Sequence, residues 1–146
     1  MYTVLVPVDG DDDRVDAQLE AVRELAAGDE SVTVDVLYAR EELDFSAEDV
    51  DDVAVGTLEE GLTDLEGLPE TVPRIAAELR EAGLETDVHA ATGRPEAAIL
   101  DAAERFETDL LVLGARRRSP VGKAVFGSVA QSVLLETDRP VMVVPT

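Results

Sequence analysis

The residues best suited to chemistry lie between Gly114 and Ser128, in the stretch GARRRSPVGKAVFGS. An apolar run ends at Gly114, a polar loop follows, and a helical pattern begins at Ser128. Glycines at both ends of the loop let a backbone approach a ligand closely. A helix opening at Ser128 would direct unpaired amides and the positive end of its dipole outward, an arrangement suited to phosphate. Arg116, Arg117, Arg118 and Lys123 place four of the chain's twelve basic residues within eight positions. Guanidinium groups match phosphate oxygens because their donors form a planar fork. The same composition also suits a plain N-cap at Ser128, a turn at Gly127 and arginines that merely offset neighbouring acids.

Two phosphate-binding signatures are absent. Gly122-Lys123 resembles the tail of a P-loop, but Arg117 and Ala124 stand where that motif requires glycine and a hydroxyl residue. No G-x-G-x-x-G follows the first apolar run. Asp9, just after that run, reads on its own as a turn or capping carboxylate within an acidic cluster. His89, the single histidine, has no obvious ligand partner in sequence and reads as a packed or surface residue. The sequence displays no nucleophile with its base, no metal-ligand cluster and no matched acid pair.

The chain around this basic island is acidic. Thirty-three acids face twelve bases, a net charge of −21, and Lys123 is the only lysine. A folded domain with this charge repels itself unless salt screens it, and the Debye length falls to about 3 Å at 1 M. A halophilic, high-salt cytoplasm is therefore expected. The same field disfavours nucleic acid, whose binding depends on neutralising phosphates. The chain has no cysteine, which removes disulfides and thiolate chemistry. No apolar stretch reaches membrane-spanning length, and the acidic start lacks the features of a signal peptide.

The elements that must position the loop alternate between strand and helix patterns, the signature of a parallel sheet with crossover helices. Strands are expected at 3–8, 32–38, 85–91, 109–113 and 141–144. Helical stripes comprise Val15, Leu19, Val22 and Ala26, then Val72, Ile75, Leu79 and Ala82, then Ala98, Ile99, Ala102, Ala103 and Phe106. Gly83 sits where a helix C-terminal glycine belongs, Pro95 and Glu96 suit a first turn, and Ser128 with Gln131 has capping-box spacing. Residues 41–68 hold eleven acids and no base. They are expected to form a variable acidic insert containing a helix, either a lid or a solvated surface.

At the 114–128 loop the sequence resembles the universal stress protein family, whose nucleotide motif is glycine, two residues, glycine, nine residues, then glycine with serine or threonine. Gly114 and Gly127-Ser128 match; Arg117 replaces the middle glycine. VLVPVDG resembles the family's first strand, Gly93-Arg94-Pro95 with Ile99, Ala102 and Ala103 its third-helix entry, DLLVLG its fourth strand and PVMVVP its last. The likeness covers nearly the whole chain and, with the charge, suggests a haloarchaeal type.

The resemblance implies a single domain over 1–146, an α/β fold of three layers with a doubly wound, five-stranded parallel sheet in the order 3-2-1-4-5. Ligands in such sheets bind beyond the strand carboxyl ends where the winding reverses. It further implies that Pro7, Val8 and Asp9 line the adenosine part of a nucleotide and that Ala39 meets the adenine edge. Gly114, Gly127, Ser128 and Val129 would hold phosphates, joined here by Arg116, Arg117 and Arg118. Ala130 occupies a position where many members carry a hydroxyl. The implied ligand is ATP, or AMP or ADP, with Mg²⁺ as a companion ion. Arg117 is compatible with retained phosphate binding or with its loss. The apolar last strand, Val141–Val144, lies at a sheet edge in this order and is expected to pair with a second copy as a homodimer. Three functions remain: a nucleotide-holding module in stress response or signalling, a slow Mg²⁺-assisted ATP hydrolase using Asp9, and a nucleotide-free interaction protein.

Overall fold

Near-continuous β-branched runs need cover on both sides, and helices with one apolar stripe supply it. A computed structural model, which describes residues 2–27, 31–40, 58–115 and 127–145, shows this solution. In chain order the elements are β1 (Tyr2–Val8), α1 (Asp12–Leu25), β2 (Val32–Arg40), β3 (Leu58–Glu59), α2 (Thr71–Glu81), β4 (Glu85–Thr92), α3 (Pro95–Arg105), β5 (Leu110–Gly114), α4 (Ser128–Glu136) and β6 (Val141–Val144). The sheet order is β3-β4-β2-β1-β5-β6. The five expected strands are β1, β2, β4, β5 and β6; their order is the expected one, and every pairing among them is parallel.

The sheet has six strands rather than five. The extra one, β3, pairs antiparallel to β4 through Leu58 with Ala91 and Glu59 with Ala90. It lies in the acidic connection for which a helix was expected. Residues 41–57 of that connection lie outside the described residues, and among those described, 58–68, there is no helix. The main-chain edge of β4 holds Leu58–Glu59, and Leu62 N–H donates to Val88 O at 2.7 Å.

Alternation along the central strands divides the core. Val4, Val6, Val8, Val34 and Val36 face α1 and α2, whereas Leu5, Leu37, Leu111 and Leu113 face α3 and α4. Val4, Leu5 and Val6 are completely buried, as expected for a parallel sheet covered on both faces. Helix ends follow local rules. Asp11 caps α1 by accepting from Arg14 N–H at 3.1 Å. At the end of α2, Leu84 N–H reaches Leu79 O and Gly83 N–H reaches Arg80 O, with Gly83 at φ +87°. This left-handed turn is one that glycine adopts without penalty.

α2 docks on α1 through Arg74, which pairs with Asp16 and also with Asp12 at 3.2 Å. The Arg74 guanidinium is held above its ordinary range chiefly by the Asp16 hydrogen bond, against the opposing effect of burial. Arg74 thereby positions the start of α2, where Thr71 meets the loop after β1. Among the described residues, no helix is long and apolar enough to cross a membrane.

Candidate functional site

β1 is where the winding reverses: the chain passes to β2 and β4 on one side and to β5 and β6 on the other. Paired positions between β1 and β5 are confined to Val4 with Leu110 and Leu5 with Leu111. Beyond them the strands part, and Gln18 of α1 spans the gap. Its amide donates to Pro7 O at 2.7 Å and to Val112 O at 3.1 Å. A fully buried glutamine is tolerable there because these two carbonyls need donors.

Above this gap lies a cavity of about 530 Å³, within the range of small-molecule sites. Pro7, Val8 and Asp9 line it from the end of β1, Ala39 from β2, Gly114 from β5, and Gly127, Ser128, Val129 and Ala130 from the start of α4. All nine belong to the site set expected from sequence. Arg116, Arg117 and Arg118 lie outside the described residues. α4 opens differently from expectation: Gly127 is the N-cap, Ser128 is the first helical residue, and among the described residues no side chain caps the helix. The first intrahelical bond runs from Gln131 N–H to Gly127 O at 3.0 Å. It leaves the amides of Ser128, Val129 and Ala130 without helical acceptors at the cavity wall.

Asp9 is tightly fixed. Asp11 N–H donates to its Oδ1 at 3.0 Å, and the Arg14 guanidinium pairs with its Oδ2. Its backbone carbonyl accepts from the Thr71 hydroxyl at 2.6 Å. Sequence reading missed Arg14, which also lines the cavity. Its stem crosses the face of Gly114: a Cβ there would lie 2.6 Å from Arg14 Cδ and overlap Cγ as well. Position 114 thus requires glycine to let an arginine from α1 pass. The Asp11-to-Arg14 spacing in the first turn was the available signal. Leu37, Tyr38, Pro95, Ile99 and Leu113 add apolar walls that the sequence did not identify.

His89 is a packed residue, as one of its two expected readings has it. It is buried on β4, its Nε2 lies 2.8 Å from Asp35 Oδ1, and its Nδ1 accepts from Gly61 N–H at 2.9 Å. With Nδ1 an acceptor, the proton sits on Nε2 and is donated to the carboxylate. It has a carboxylate partner after all, supplied by the neighbouring strand, and fixes the entry to the sheet edge rather than the cavity. Among the described residues there is no cluster of three His, Cys, Asp or Glu suited to a metal.

Comparison with known proteins decides the lineage. The model of the universal stress protein family matches residues 1–145. The chain belongs to the universal stress protein family. A universal stress protein of Mycolicibacterium smegmatis is 38% identical over 71 residues, covering 48% of this chain and 55% of that protein. The chain spans about half the length of the relatives it matches by sequence, or less. Among solved structures, a universal stress protein from Archaeoglobus fulgidus superposes with a TM-score of 0.71 at 28% identity, covering 99% of this chain and 98% of that one. A family protein from Arabidopsis thaliana with AMP bound superposes with a TM-score of 0.66 at 17% identity over 99% of this chain and 92% of that one. This universal stress protein shares their α/β fold with a mostly parallel central sheet.

Proposed function

We infer that this universal stress protein is an adenine-nucleotide-binding module of stress response or signalling, with residues 1–146 acting as one domain and no dedicated catalytic site. The observation that carries this reading is the cavity at the winding reversal, lined by Asp9, Gly114 and the start of α4, whose first amides have no helical acceptors. Its apolar walls suit a purine and its amides suit an anion. The AMP found in the Arabidopsis relative supports the same ligand class here, and ATP and ADP belong to that class. The arginines at 116–118 enter the proposal as further phosphate ligands.

Asp9 does not fit a Mg²⁺ ligand. It is the only carboxylate lining the cavity among the described residues, and both of its oxygens already have donors. Mg²⁺ in nucleotide sites is usually held by carboxylates together with substrate phosphates, so any Mg²⁺ would arrive on the phosphates of ATP. Hydrolysis using Asp9 is correspondingly disfavoured.

On this reading the protein works as a homodimer joined along β6, in a salt-rich cytoplasm that screens its net charge of −21. Calorimetry with ATP, ADP and AMP in molar KCl tests the ligand, and mass spectrometry of heat-denatured protein tests for retained nucleotide. Saturable heat with at least one nucleotide is expected. Absence of heat with all three, and of released nucleotide, would leave the nucleotide-free interaction protein.

A further inference from the structure

Asp9 and Gly114 are the positions expected to touch ligand directly, yet in this chain each is already committed to Arg14. Asp9 gives one carboxylate oxygen to the guanidinium, and Gly114 gives up its side-chain space to the arginine stem. Arg14 and Asp9 are the only charged residues lining the cavity among the described residues. Arg14 has five N–H donors. Its side-chain hydrogen bond goes to Asp9, and its contact with Asp11 is an ion pair at 3.8 Å. Among the described residues its remaining donors have no acceptor. The side chain is 25% exposed, so it is anchored on one side and open to solvent on the other.

An anchored guanidinium with spare donors in a cavity is a preorganised anion site, because little rotamer entropy remains to be lost on binding. Arg14 lies between the end of β1, assigned to the nucleoside, and Gly114, assigned to phosphate. We propose that Arg14 is the specificity-determining residue for the phosphate attached directly to the ribose, with Asp9 acting as its positioning residue rather than as a ligand contact. This assignment rests on the adenine-nucleotide reading above and names the part of the ligand that this chain recognises. It makes phosphate on the nucleoside the preferred feature, so AMP should exceed adenosine in affinity. Gly114 contributes by leaving room for Arg14.

The test is calorimetry with AMP and adenosine in molar KCl on the native chain, Arg14→Gln and Arg14→Lys. The native chain should prefer AMP to adenosine by about tenfold or more, as expected for a charge-assisted hydrogen bond. Arg14→Gln should lose most of that preference while adenosine affinity stays within about threefold. Arg14→Lys, which keeps the charge but not the fork, should fall between them and also serves if the glutamine variant does not fold. Gly114→Ala should weaken AMP in the native background and do less in the Arg14→Gln background, since coupled sites are non-additive.

Unchanged AMP preference in both Arg14 variants would overturn the assignment and leave nucleotide binding intact. So would equal affinity of the native chain for AMP and adenosine. If the native chain binds neither AMP, ADP, ATP nor adenosine, the nucleotide reading itself fails and the Arg14 assignment falls with it.

Discussion

The two edges of the sheet are finished in opposite ways. At the β4 edge the acidic connection returns antiparallel as β3 and continues through Gly61 and Leu62, whose N–H groups donate to His89 Nδ1 and Val88 O. His89 stacks on Phe106 with ring centroids 4.4 Å apart and ties Gly61 to Asp35. Glu60 pairs with Arg105 of α3 at 3.3 Å. At the other edge, β6 pairs only with β5 among the described residues. It reads VMVV, carries no charge, and all four residues are half-buried. Leu135, in the last turn of α4, is 79% exposed. A charged, two-residue antiparallel strand protects an edge within one molecule, whereas a flat apolar edge invites another chain. The first edge is covered by the chain itself, and the second presents an apolar strand.

The contrast can be broken most severely at His89. His89→Ala leaves the largely buried Asp35 carboxylate and the Gly61 amide without their partner and removes the packing on Phe106. It should cost about 3 kcal/mol of stability, read as a lower denaturant midpoint in molar KCl. The second intervention belongs to the open edge. Val143→Lys should leave the fold intact by circular dichroism while weakening self-association at least tenfold, about 1.4 kcal/mol, in sedimentation equilibrium. A native chain that stays monomeric at millimolar concentration would remove the basis for that reading. The smallest effect is expected from Arg105→Ala, which deletes the half-exposed pair with Glu60. A loss of about 0.5 kcal/mol or less should appear at low salt and fade in molar KCl.

How much of this was legible in the sequence depended on whether a feature is made by neighbours in the chain or by neighbours in space. The unbroken apolar run from Val4 to Val6 announced a strand covered on both faces, and the spacing of Gly114 from Gly127-Ser128 announced the cavity rim. Gly83 marked a helix end because its left-handed turn is a local requirement. β3 was invisible: Leu58-Glu59 has no alternation of its own and becomes a strand only because β4 offers an edge. Arg14 follows three aspartates with nothing local to single it out, since its partner Asp9 is set by the turn after β1. His89 seemed unpartnered because Asp35 lies 54 positions away. Gln18 was missed for a related reason: a polar residue on the apolar face of α1 makes sense only when the parting of β1 from β5 is known.

That glutamine has a consequence for how the pocket fills. By clasping Pro7 and Val112 with one amide, it acts as a spacer that sets the width of the cleft before any guest arrives. A cleft held at fixed width spends none of its affinity on opening.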